Sequence, residues 1–239
     1  INKPNIDMKK RRFNPGAKIT TFFLFFSILF FALGVWQIER GQAKSKILNS
    51  YTNAGKESPA ILSDESHKWQ RVKAEGYFDS SNQVLVDNSI NKGIAGYKVL
   101  TPFISNSTSK VILVDRGWID AGNDRSILPS IDVNKATISI YGTLDDPELG
   151  FVLSDNLITK TSPKVSQTKN IKILQQAYAQ ELFPFILIAE PTLKDSLEYI
   201  KITPTNMMPS KHYGYAIQWF TMFLALCFMY LWIGTKNEK

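Results

Sequence analysis

The chain has 239 residues, a mean hydropathy of −0.12 and one cysteine, Cys227, so no intrachain disulfide is possible. Two histidines leave little material for a histidine-built metal cluster or triad. The net charge of +7 points to nucleic acid only until it is divided along the chain: residues 1–37 carry six Lys or Arg against Asp7, whereas residues 38–233 carry 20 basic and 19 acidic side chains, which removes the main support for nucleic-acid binding.

The first element is a basic tail, residues 1–18, in which Met8, a candidate start residue, precedes Lys9, Lys10, Arg11 and Arg12. Ile19 to Trp36 then runs 18 residues without a charge. As helix that is ~27 Å, about the thickness of a bilayer's hydrocarbon core. The run exceeds a usual signal-peptide apolar region and no A-x-A site follows, so residues 19–37 read as a retained transmembrane helix. Ala216 to Ile233 is a second uncharged run of 18, inside a transmembrane segment assigned to 212–233, and a tail, 234–239, carries Lys236 and Lys239. Basic residues just outside both helices form the positive-inside pattern. It predicts both termini in the cytoplasm and residues 38–211 in the periplasm of a bacterial inner-membrane protein, or the equivalent arrangement in a mitochondrial inner membrane.

Between the helices the pattern is mainly strand. Trp69–Phe78, Gln83–Val86, Tyr97–Ile104, Lys110–Val114 and Thr137–Leu144 are short, rich in β-branched or aromatic residues, and separated by Gly, Asn, Asp and Ser. Phe185–Ala189 and Tyr199–Ile202 add two later strands. Ile171–Leu182 has the apolar spacing of a helix, and the polar Asn156–Lys169 reads as a loop. Strands follow one another without regular βα alternation. The expected fold is therefore a mainly β, α+β domain, an antiparallel sheet or partly open barrel, between two transmembrane helices.

No G-x-S-x-G, Gly-rich phosphate loop, C-x-x-C or H-E-x-x-H occurs, which argues against an enzyme. Asp145-Asp146 and Asp124-Arg125 read as solvated turns. Gly93-Ile94-Ala95-Gly96-Tyr97 reads as a turn re-entering a strand, its glycines supplying positive φ. Arg116-Gly117-Trp118 reads as a strand end, with Trp118 on the core and Arg116 paired to a carboxylate such as Asp115 or Asp87.

The more informative cluster lies where both helices leave the apolar layer. Gln37, Arg40 and Lys44 follow Trp36 and share a face if the first helix continues, while His212, Tyr213, Tyr215, Gln218 and Trp219 open the second. An interfacial belt accounts for the Trp and Tyr residues, and for Arg and Lys reaching lipid headgroups. It accounts less well for His212. Capped by Ser210, His212 falls in the first helical turn, where the positive helix end disfavours imidazolium and leaves the neutral, metal-binding ring. Trp219 shares its face seven residues on, with Ala216 between them as a small gap for a planar ring. Haem or metal ligation is one reading of His212, and simple belt packing is the other. Met207 and Met208 read as apolar contacts, Cys227 lies ~22 Å further along a straight helix, and His67 reads as exposed.

Taken in order, these stretches resemble a known family. They are Leu33-Gly34-Val35-Trp36-Gln37-Ile38-Glu39-Arg40 with Lys44, the Gly93 to Tyr97 turn leading to Thr101-Pro102, Val114-Asp115-Arg116-Gly117-Trp118, and His212-Tyr213-Gly214-Tyr215-Ala216-Ile217-Gln218-Trp219-Phe220. Their order between two end-placed helices, from Ile19 to Ile233, is similar to the surfeit locus protein one family of cytochrome oxidase assembly factors. Ala43 and Asp115 depart from that pattern, where an aromatic residue and Asn are common. The resemblance implies assembly of haem–copper terminal oxidases and binding of haem A through the histidine opening the second helix, here His212. Trp219 and Trp36 then become walls and Arg40 a partner for a propionate, since a guanidinium fork matches a carboxylate. The implied partners are the oxidase catalytic subunit, membrane lipid and, as a further candidate, the enzyme that makes haem A. The rival expectation is a cofactor-free scaffold or accessory subunit that grips the oxidase through the β domain.

Overall fold

The computed structural model describes residues 13, 15–145, 157–200 and 203–235. In chain order its elements are α1 (Ala17–Ala54), β1 (Ala60–Ile61), β2 (Arg71–Phe78), β3 (Val84–Asn91), β4 (Ile94–Ser105), β5 (Val111–Asp120), β6 (Ile138–Asp145), β7 (Lys164–Ser166), α2 (Ile171–Leu174), β8 (Leu182–Ala189) and α3 (Pro209–Thr235). They divide into two compact units, residues 1–49 with 203–239, and residues 50–202.

The first unit is a helix pair. The 38 residues of α1 span ~57 Å, about twice a bilayer's hydrocarbon core, so the helix runs on through Gln37, Arg40 and Lys44. Only 11% of the most apolar window of α1 and 6% of that of α3 is buried, which separates both from the core helices of a soluble protein. Their length and composition suit membrane spans. The buried residues of α1 are Ser27, Gly34 and Gly41, seven apart. A Cβ on Gly34 would lie 2.7 Å from the Phe220 ring, and one on Gly41 would lie 2.6 Å from the Tyr213 ring. Numbers rise along α1 as they fall along α3, so the helices are antiparallel. Small residues at heptad spacing let the backbones approach in the way membrane helices pack.

The second unit is built on one eight-stranded sheet in the order β1-β2-β6-β8-β5-β4-β3-β7, closed by a further pairing of β2 with β4. Closure makes a ring of five strands, β2-β6-β8-β5-β4. A closed ring with an odd number of strands cannot be antiparallel throughout, because each antiparallel step reverses direction. The unavoidable parallel joint is β5–β8, Val111 opposite Leu182, and the other four ring pairings are antiparallel. The sheet is therefore mixed. The expected mainly β, α+β architecture between terminal apolar helices is what the structure shows.

Period-two patterning fills the ring. On β2, Val72, Ala74, Gly76 and Phe78 are buried while Arg71, Lys73, Glu75 and Tyr77 are not. Phe78, Phe103, Ile112, Val114, Leu144, Phe183 and Leu187 share the interior. The unbroken run Val111 to Val114 is buried on both faces, since Val111 and Leu113 belong to a second cluster with Leu174, Leu182 and Ile186.

Four local expectations change. The helix expected over Ile171–Leu182 stops at Leu174, followed by a 3₁₀ turn at Gln175–Ala177. Gln175 closes that turn with its own side chain, accepting from Leu182 N–H at 2.7 Å and donating to the Gln180 carbonyl at 2.9 Å, and Leu182 joins β8. The expected loop Asn156–Lys169 contains β7, which adds to the free edge of β3; Asn156 itself lies outside the described residues. The strand expected at Tyr199–Ile202 is absent from its described part, Tyr199 and Ile200, and only Glu198 bridges to Trp118. Trp69 sits at φ +69°, so β2 begins two residues later than expected.

Candidate functional site

The Arg116-Gly117-Trp118 segment does not end its strand. β5 continues to Asp120 through a bulge at Gly117, whose φ of +117° is left-handed backbone and whose missing Cβ clears the Glu198 carbonyl. Arg116 is buried and, contrary to expectation, pairs with no carboxylate among the described residues. Its guanidinium donates to Gln83 Oε1, Thr101 Oγ1 and the carbonyls of Ile131, Asp132 and Asp195 at 3.0–3.3 Å. The carboxylates go elsewhere: Asp115 to Lys98 at 2.9 Å and Asp87 to Arg125 at 3.4 Å. Five oxygens surround the Arg116 head, three of them on Nη1, so it fastens two long connections to the barrel. Trp118 is buried as expected, its indole donating to the Ser89 carbonyl at 2.8 Å.

Asp124 is the exposed turn residue expected, accepting from Ser126 N–H at 2.9 Å. Asp145 is not. It closes β6 in a buried position 3.5 Å from Lys169 Nζ, and burial raises its proton affinity above that of an ordinary aspartate, against the opposing pull of Lys169. Asp146 lies outside the described residues. His67 is exposed. Gly93 supplies positive φ in a two-residue turn, whereas Gly96 is needed because a Cβ there would meet Trp118.

The helix pair carries the histidine. α3 begins at Pro209, a residue preadapted to the first helical position because its missing N–H would be unsatisfied there. Ser210 is therefore inside the helix and does not cap it. His212 remains in the first turn, and its Nδ1 lies 2.8 Å from Gln37 Oε1. Its Nε2 is buried and has no hydrogen-bond partner among the described residues. Unpaired buried polar nitrogen is costly, typically 1–3 kcal/mol, so the arrangement stands out.

The other expected site residues are placed as follows. Arg40 lies over the Trp36 ring, 5.6 Å from its centroid, and Trp36 is 47% exposed. Trp219 packs against Phe30 with centroids 5.7 Å apart. Ala216 is covered, only 4% exposed, so the expected gap above it is filled. Gln37 was visible in the sequence as one of three polar residues on a helix face, but its pairing with His212 follows only from the antiparallel register. Among the described residues no three His, Cys, Asp or Glu side chains gather to hold a metal ion.

The SURF1 family matches residues 24–224, which takes in the barrel, all but the start of α1 and the first part of α3. The chain belongs to the SURF1 family. It is 30% identical over 124 residues to the cytochrome oxidase assembly protein SHY1 of Saccharomyces cerevisiae, covering 48% of this chain but 32% of the yeast protein. A SURF1-like protein of Monosiga brevicollis is 22% identical over 228 residues, 88% of this chain and 85% of that one. Surfeit locus protein 1 of Takifugu rubripes is 27% identical over 109 residues, 37% of this chain and 45% of the fish protein. The chain thus spans about a third of the yeast relative. Family membership and the two apolar helices fit a membrane-anchored protein.

Proposed function

We propose that this protein is an assembly factor for a haem–copper oxidase of the cytochrome c oxidase type, one that holds haem A as cargo at His212 and aids its passage to the catalytic subunit. It acts by binding and positioning, not as an enzyme. Family membership and the name of the yeast relative support the oxidase assembly role. The single observation that carries the haem reading is the buried, partnerless Nε2 of His212.

The donor set fits that cargo. A lone histidine cannot hold a bare zinc ion, which takes three or four protein ligands. A porphyrin brings four equatorial nitrogens of its own, so one axial imidazole suffices. Trp36 and Trp219 are proposed as apolar walls and Arg40 as the donor to a propionate, its guanidinium carbon 5.6 Å from the centroid of the Trp36 ring. Because Nε2 is covered, loading requires the side chains around the start of α3 to shift. The proposed topology keeps both termini in the cytoplasm, or the mitochondrial matrix, with residues 38–211 on the opposite side of the inner membrane. Lipid, the oxidase catalytic subunit and the haem A synthesis enzyme are the proposed partners. One observation favours the second reading, a cofactor-free scaffold: Ala216, between His212 and Trp219 in sequence, is covered.

Haem content of the purified full-length protein separates the two. His212→Ala should insert at near-normal levels, because one residue at a helix start contributes little to insertion. It should lose bound haem, and cells carrying it should assemble less active oxidase. His67→Ala should change none of these. Unchanged haem in His212→Ala would give the lead to the scaffold.

A further inference from the structure

An imidazole that is to ligate iron through Nε2 must carry its proton on Nδ1. Free neutral histidine prefers the opposite tautomer, with the proton on Nε2. Something in the protein has to reverse that preference. A ligating histidine almost always solves the problem by donating its other ring N–H to a fixed acceptor.

Gln37 Oε1 is such an acceptor, 2.8 Å from Nδ1. An amide oxygen accepts and does not donate, so the nitrogen facing it carries the proton and the lone pair falls on Nε2, the atom left without a partner. The neighbouring geometry holds this pair in register. Gln37 lies on α1 between Gly34 and Gly41, and those glycines receive the rings of Phe220 and Tyr213 on α3. Tyr213 follows His212 directly. The depth at which Tyr213 meets Gly41 therefore fixes the height of His212 against Gln37.

We infer that Gln37 is the positioning residue of the His212 site: its amide oxygen holds the imidazole proton on Nδ1 and so presents Nε2 as the ligand atom. The inference rests on the haem reading of His212 for its purpose, but the placement of the proton does not. The choice of an amide also matters. A carboxylate in this place would raise the basicity of the ring and tighten the ligand bond. A neutral amide orients the ring with less tightening, which suits a site whose cargo has to leave.

The test uses the full-length protein in detergent with His67→Ala as background, leaving His212 as the only imidazole. Nitrogen-15 spectra of the haem-free protein at about pH 9, well above the ordinary imidazole value of about 6.5, read the tautomer directly. The parent and Gln37→Glu should show the proton on Nδ1. Gln37→Leu, similar in size but without an acceptor, should move it to Nε2. Ferric haem added to the same proteins and then withdrawn by excess apomyoglobin should leave Gln37→Leu about 10–100-fold faster than the parent, and Gln37→Glu more slowly. A proton on Nε2 in the parent overturns the inference. So does a Gln37→Leu protein whose tautomer changes while haem loss keeps the parent rate. If the parent has the Nδ1 proton but takes up no haem, the haem reading of His212 falls and the Gln37–His212 proton placement stands.

Discussion

The barrel hides its phenylalanines and the helix pair displays them. Phe78, Phe103 and Phe183 are at most 1% exposed, whereas Phe22, Phe25 and Phe31 on α1 and Phe228 on α3 are 51–71% exposed. The same side chain obeys different patterns because the two units face different solvents. In water, apolar residues alternate inward at a spacing of two along each strand, and each face of the sheet must be covered. In lipid the apolar surface turns outward, and the small residues Ser27, Gly34 and Gly41 make the contact between helices. Hydrophobic content alone therefore says little about stability until the solvent of each face is known.

Matched substitutions test that contrast most strongly. Phe103→Ala empties a fully buried position in the barrel and should cost about 3–5 kcal/mol, a large fraction of a domain's stability. Phe25→Ala, from a residue 62% exposed on α1, should leave the unfolding transition within about 0.5 kcal/mol of the parent. Both are read from denaturant unfolding of the full chain in lipid nanodiscs. Equal losses would mean that the outward face of α1 is covered by protein, and the contrast between the units would collapse.

What sequence made legible follows the same division. The runs Trp69–Phe78 and Lys110–Val114, rich in β-branched and aromatic residues and bounded by turn residues, announced strands by composition. The two uncharged runs announced α1 and α3 because a bilayer demands that length. Pairing was not legible. Nothing local to Leu182 says that it will lie parallel to Val111, and the demand for a parallel joint arises only when the ring closes. Gln175 reads as an ordinary helical residue until its side chain is seen closing a turn. At the site, His212 stood out by chemistry, whereas its partner Gln37 is 175 residues away in sequence and needed the helix register. Asp145 misled because the apolar strand positions before it did not reveal that burial continues through the strand's last residue.

Asp145 sharpens the comparison within the second unit, where it is buried on the face of β6 opposite the ring interior that Leu144 enters. Its folded form binds a proton more tightly than an unfolded aspartate, whose ordinary value is 3.8. Between 3.8 and its raised value the folded chain holds more protons than the unfolded one, so this group's contribution to stability falls as pH rises through that window. Asp145→Asn cannot titrate and lacks this fall. Relative to the parent it should therefore gain stability as pH rises above 3.8, seen as a growing difference in urea midpoint. A difference independent of pH would show that Asp145 titrates as an ordinary surface carboxylate.

The smallest effect belongs to the β3–β4 hairpin. Lys92 and Gly93 form the two-residue turn between β3 and β4, with φ of +49° and +84°, the type I′ geometry that suits the twist of the strands. Glycine adopts that backbone freely, whereas lysine is strained there and asparagine is among the residues that tolerate it best. Lys92 is kept by something else: its Nζ lies 2.9 Å from Glu198 Oε1, with 80% of the lysine side chain and 44% of the glutamate side chain exposed. An ion pair so open to water contributes little and is screened by salt. Lys92→Asn would create the Asn-Gly pair preferred in such turns while removing that bridge. Thermal unfolding should rise by about 1–3 °C, and the gain should be larger in a Glu198→Gln background, where no bridge remains to be lost. The order of the two gains carries the meaning. If Lys92→Asn lowers the midpoint in the parent but not beside Glu198→Gln, the bridge outweighs the turn. If it lowers both alike, the strain assigned to Lys92 is absent.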